Sequence, residues 1–114
     1  MKSNKLIVSE KDLSLELEEL INGYVYTKED LYFSGLVLYY KEIPYKEVKE
    51  RIVQNFNPLL DYVIKKMNIR QEIFFPIGLK EIDDAVSTFN QKVDSSIFVP
   101  YVIKCLFFAF KKEF

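Results

Sequence analysis

The sequence predicts an all-α fold, a compact bundle of five to six helices forming a single domain over residues 1–114. Three observations carry that expectation. Apolar residues recur at spacings of three and four along most of the chain, which is the period of one helix face. Capping and breaking residues (Ser9, Asn22-Gly23, Thr27, Ile43-Pro44, Asn57-Pro58) cut these runs into pieces of helical length. No apolar–polar alternation of convincing strand length occurs. With 114 residues, 49% of them hydrophobic, the chain can bury a core without disulfides or a metal and is too apolar to stay disordered.

Taken in order, the first helix follows Ser9, with Asp12 three residues on in a capping-box arrangement. Leu13, Leu17, Leu20 and Ile21 form its stripe, Glu16, Glu18 and Glu19 lie opposite, and Asn22-Gly23 stops it. Thr27 and Asp30 repeat the start signal. In the helix that follows, Leu31, Phe33, Leu36, Val37 and Tyr40 are spread widely around the axis, which predicts a central position in the core. Ile43-Pro44 breaks it. A third helix runs over 45–56, with Val48, Ile52 and Phe56 on one side and Lys46, Lys49 and Glu50 on the other. Asn57-Pro58 starts a fourth, carrying Leu59, Leu60, Val63, Ile64 and Met67.

Residues 68–71 read as a polar loop, and Glu72–Phe75 either begin the next helix or approach it in extended form before Pro76. The clear helical pattern starts near Ile77 and runs to Phe89, with Leu79, Ile82, Val86 and Phe89 on one face and Lys80, Asp83, Asp84 and Ser87 opposite. A polar turn, NQKVDSS, leads to the last helix. That helix has two stripes: Val99, Ile103, Leu106 and Phe110 as the core face, and Tyr101, Lys104, Phe108 and Lys111 as a second. Two lysines among rings make an unusual solvent surface.

The composition excludes several chemistries. The chain has no His, which rules out Cys–His and Ser–His–Asp sites and an ordinary zinc site. Asp83 and Asp84 are adjacent, and neighbouring helix residues do not converge on one point. The three glycines are scattered, so no phosphate loop exists. Cys105, the only cysteine, reads as a small core residue and allows no disulfide within one chain, in keeping with a reducing cytoplasm. The reading is a non-enzyme with no cofactor and no metal. The N-terminus turns charged too soon for a signal peptide, and the longest apolar run, Ile97–Phe110, contains Pro100 and Lys104 and falls short of the ~20 residues of a membrane span. Net charge is −1, so nucleic-acid binding would need a local basic patch.

Two resemblances follow from these residues. Residues 45–67 look like a helix-turn-helix opening at Tyr45-Lys46-Glu47-Val48, although Lys49 replaces the usual small residue and Val53-Gln54-Asn55 stand where the turn glycine belongs. The stronger pattern is F-x-P-L-L-D-Y-V-I-K-K at Phe56–Lys66, then IGLKEIDDAVSTFN at Ile77–Asn90, then SIFVPYVIKCLFFAFKK at Ser96–Lys112. Together these resemble domain 2 of bacterial sigma factors, above all the divergent clostridial factors that switch on toxin and bacteriocin genes. The likeness covers residues 56–114.

That resemblance implies two surfaces. The helix at Ile77–Phe89 would dock on the coiled coil of the RNA polymerase β′ subunit through Lys80, Asp83, Asp84 and Ser87, with Glu72 at its approach. The helix at Phe98–Lys112 would capture flipped bases of the minus-ten element on the single-stranded non-template strand through Tyr101, Lys104, Phe108 and Lys111. Pro76 and Ile77 stand where the family carries a Gln-Glu pair, and the Trp pair and Arg of its DNA-melting helix are missing. No domain 4 pattern is present, which implies a separate partner that supplies one, or a longer factor. The alternative is a small helical protein-interaction module without DNA binding, or a helix-turn-helix regulator using 45–67.

Overall fold

A computed structural model describes residues 10–89 and 97–113, with side chains from Leu13 onward. Among the described residues there are six helices and no strand: α1 Glu10–Asn22, α2 Lys28–Glu42, α3 Lys46–Asn55, α4 Asn57–Met67, α5 Gln71–Thr88 and α6 Phe98–Lys112. The all-α bundle expected from periodicity is the observed architecture. The Ser9 cap and the NQKVDSS turn fall on residues outside the described ones. Among the described residues no helix is long and apolar enough to cross a membrane.

The centre of the bundle is α6. It buries Phe98, Val99, Val102, Ile103, Leu106, Phe107 and Phe110, and it packs along α5 and against α1, α2 and α4. Pro100 is tolerated because it is the third residue of the helix, where a backbone N–H has no intrahelical acceptor to lose. Rings interlock around it: Phe56 and Phe89 meet Phe98 at centroid distances of 5.5 and 5.0 Å, and Phe74 meets Phe110 at 5.2 Å. Truncating one such fully buried Phe to Ala removes about 3–5 kcal/mol.

α5 and α4 complete this centre. Leu59, Leu60, Val63 and Ile64 of α4 and Ile82, Ala85 and Val86 of α5 are buried. The helices approach closely at Gly78, where an added Cβ would overlap Leu60 Cδ1 and lie 3.1 Å from Phe110 Cζ. α4 ends at Asn68, in the left-handed region at φ 57°, a conformation that Asn accepts as a helix cap. α1 lies on α6 through Leu20, with Leu13, Leu17 and Ile21 packed at its margin. Tyr62 Oη donates to the Leu20 carbonyl at 2.6 Å, satisfying an acceptor near the end of α1.

Two expectations are revised. Of the two readings of Glu72–Phe75 the helical one holds, and α5 starts still earlier, at Gln71, with Pro76 inside it. The Ile73 and Phe74 N–H groups donate to the Arg70 carbonyl, and Phe74 is buried against α6. That anchorage outweighs the single hydrogen bond a proline removes. The second correction concerns α2, which is peripheral. Only Asp30, Ser34 and Val37 are buried on it, and Leu31 is 51% exposed. The wide apolar distribution marks a helix with one face on α3 and another in the open.

The buried polar residues of α2 are satisfied. Thr27 and Asp30 form the expected capping box, with Asp30 N donating to Thr27 Oγ1 and Thr27 N donating to Asp30 Oδ2, both at 3.0 Å. Tyr24 Oη donates to the same Asp30 Oδ2 at 2.6 Å, and Ser34 Oγ donates to the Asp30 carbonyl. A carboxylate only 3% exposed is thus held by two donors and by the positive end of the helix.

Candidate nucleic-acid and protein-docking surfaces

The core stripe of the last helix falls where its spacing predicts. Val99, Ile103, Leu106 and Phe110 face inward and are buried. On the outer side Lys104 is exposed, Phe108 is 40% exposed and Tyr101 is half-buried. These three line a cleft of about 300 Å³ with Cys105, Ala109, Lys112 and Glu81. Phe108 stands there between lysines one turn before and one turn after it. Its ring meets the buried Phe107 ring edge-on at 5.1 Å, which steadies it without covering its outer surface.

Tyr101 is placed by its neighbours. Its ring contacts Phe89 at 5.3 Å and Phe98 at 6.4 Å, and its Oη shares a hydrogen bond with Thr88 Oγ1 at 2.8 Å. Burial raises its phenol above the ordinary value, so it stays a neutral hydroxyl. Burial likewise pushes the Cys105 thiol up, which leaves a neutral sulfur of low reactivity in the cleft wall. Glu81 adds one carboxylate to this otherwise cationic rim.

Lys111 does not join this group. Its Nζ is 3.0 Å from Glu16 Oε1 of α1 and 5.4 Å from the Phe107 ring centroid. Two turns beyond Lys104 on nearly the same line of the helix, it reaches across to the acidic face of α1. The four-residue stripe is therefore a three-residue surface plus a helix–helix tie, and Lys112 takes the outer cationic position.

The α5 face is built differently from its sequence pattern. Lys80 and Asp84 pair with each other at 3.7 Å across one turn. Glu72 pairs with Arg70 at 3.7 Å, both exposed, some two turns away from Lys80. Asp83 and Ser87 are already engaged. Lys49 of α3 reaches Asp83 Oδ1 at 2.7 Å and Ser87 Oγ at 2.6 Å, and lies 5.8 Å from the Tyr40 ring centroid. Lys41 of α2 donates to the Ser87 carbonyl. Between α3 and α5 runs an open groove of about 540 Å³, lined by Glu50, Val53, Gln54, Asn57, Leu79, Lys80 and Asp83.

Sequence reading missed Lys49 and Lys41 as part of this surface because both sit on polar faces of their own helices. No spacing within either helix signals these contacts, because each joins residues on different helices. Among the described residues no group of three or more His, Cys, Asp or Glu could hold a metal.

Residues 45–67 depart from a helix-turn-helix in two respects. α3 and α4 are joined by Phe56 alone, where that motif has a turn of three or four residues. α4, the would-be recognition helix, turns Leu59, Leu60, Val63 and Ile64 into the core. Comparison of the chain with protein-family models, with curated proteins and with solved structures gives no match.

Proposed function

We propose that this chain is a transcription-initiation protein of the sigma domain 2 kind. It binds the RNA polymerase core at the β′ coiled coil and the single-stranded non-template strand of a minus-ten element. A second protein supplies the domain 4 function, or the same role is played within a longer factor. The observation that supports this reading best is the Tyr101–Lys104–Phe108 surface with Lys112 behind it. An exposed ring on a helix whose other side is wholly buried is a rigid platform for an unstacked base. Stacking of one base on such a ring contributes about 1–3 kcal/mol and tolerates a neutral protein. Lysines one turn either side meet the flanking phosphates.

The α3–α5 groove and the Lys80–Asp84 pair supply the polymerase-facing side. A partner that uses Asp83 or Ser87 has to displace Lys49, and the groove beside them offers Leu79 and Val53 as apolar contacts. An apolar contact here suits a helix that carries Pro76 and Ile77 in place of polar residues.

The test is fluorescence anisotropy with a labelled single-stranded oligonucleotide carrying TATAAT, against its duplex, over a salt series. The single strand binds preferentially, and Phe108→Ala weakens it at least about fivefold. Each lysine that meets a phosphate contributes about 0.7 to the slope of log affinity against log salt. Equal binding of both forms, or no effect of Phe108→Ala, refutes the assignment.

A further inference from the structure

Among the described residues nothing covers one face of α2, and that face is complementary to itself. The inner side of α2, which buries Asp30, Ser34 and Val37, packs on α3 and touches α6. Its outer side carries Leu31 at 51%, Tyr32 at 64% and Tyr39 at 47% exposure, with Leu38 half-buried beside them. Gly35 is the middle residue of this 15-residue helix, and it is exposed with nothing within 4 Å of where a Cβ would stand. Lys28, Leu31, Gly35, Leu38 and Glu42 follow one another at spacings of three, four, three and four, which is a helix-pairing seam.

The charges fix its partner. Lys28 lies seven residues before Gly35 and Glu42 lies seven after it, both exposed. An antiparallel second copy, related by a two-fold axis at Gly35, brings Lys28 of each copy to Glu42 of the other. It also sets Leu31 against Leu38 and Tyr39, while the two Gly35 backbones approach without side chains between them. A single heterologous helix would have to reproduce this pattern; a second copy carries it by symmetry. We infer that the outer face of α2 is a homodimer interface, with Gly35 at the crossing point and two Lys28–Glu42 pairs at its ends.

The patch is about 22 Å long and about 10 Å across, well below the roughly 1,200 Å² in total that a standard specific interface buries. The dimer is therefore a weak, reversible one that forms only at high protein concentration. It leaves the α6 cleft and the α3–α5 groove on other helices, and it stands whether or not the chain binds nucleic acid.

Sedimentation equilibrium of the full chain over a concentration series tests this. The mass rises from the 13.6 kDa of one chain toward twice that value. Lys28→Glu and Glu42→Lys each make both ends repulsive and weaken association at least about tenfold. The first adds an acid at the start of α2 and the second a base at its end, so both favour the helix itself, and lost association cannot be ascribed to lost structure. The double variant Lys28→Glu/Glu42→Lys regains association, and an equimolar mixture of the two single variants forms a heterodimer. A chain that stays monomeric at high concentration overturns the inference, the face then being covered by another protein or by another part of the chain. Association indifferent to the single reversals, or not regained by the double variant, overturns it too.

Discussion

Two glycines, both within helices, should respond to the same substitution with opposite signs. Gly78 of α5 is buried where α4, α5 and α6 come closest, and a Cβ there would overlap Leu60 Cδ1 and press on Phe110 at 3.1 Å. Overpacking of this kind costs about 1–3 kcal/mol. Alanine's better helix propensity returns about 1 kcal/mol. Both Leu60 and Phe110 are fully buried among further apolar neighbours, so neither can swing aside freely. The overlap with Leu60 puts the cost in the upper part of that range, about 2–3 kcal/mol, so the balance is a loss of about 1–2 kcal/mol, which for a domain of this size lowers Tm by roughly 4–8 °C. Gly35→Ala meets open space and keeps only the propensity gain, raising Tm by about 2–4 °C in dilute solution where the chain is monomeric. Thermal and urea unfolding followed by far-UV circular dichroism read both. Stabilisation by Gly78→Ala equal to that by Gly35→Ala would refute the close three-helix approach.

Two further outcomes are expected. Burial and the hydrogen bond to Asp30 raise the Tyr24 phenol above its ordinary value, so the stability it contributes is full below about pH 10 and is lost as pH climbs above that. Tyr24→Phe costs about 1–2 kcal/mol near neutrality through the lost hydrogen bond and flattens the alkaline decline; urea midpoints at about pH 8 and about pH 11 give the comparison, and an unchanged alkaline slope contradicts the assignment. Lys49→Ala breaks a part-exposed tie worth about 1 kcal/mol or less and uncovers Asp83 and Ser87. It therefore lowers Tm slightly while tightening capture of the β′ coiled coil, whereas Asp83→Lys weakens capture; weaker capture by Lys49→Ala would mean that Lys49 itself is the contact.

How far the sequence discloses the molecule depends on how local each cause is. The Thr27–Asp30 cap, the Asn57-Pro58 start and the buried Val99–Ile103–Leu106–Phe110 stripe are set by neighbours within a turn or two, and each is read directly. Pro76 misleads because its local penalty is overruled by Phe74, whose ring packs on Phe110 far along the chain. α2 misleads because apolar residues around a whole helix look alike whether they are covered by this chain or left open. The Lys49–Asp83 and Lys111–Glu16 pairs join residues on different helices, and no spacing rule within one helix reveals them. Asn68 is a readable signal, since Asn after a helix is an ordinary left-handed cap; it marks the end of α4 and the short link to α5.

The most direct test of the account is a three-component co-elution: this chain, RNA polymerase core and a labelled non-template oligonucleotide carrying a minus-ten element, resolved by size-exclusion chromatography. The account predicts that the chain elutes with polymerase and retains the oligonucleotide there, that Asp83→Lys releases the chain from polymerase, and that Phe108→Ala keeps the chain bound while releasing the oligonucleotide. A chain that elutes apart from polymerase, or that holds the oligonucleotide equally well without Phe108, contradicts it.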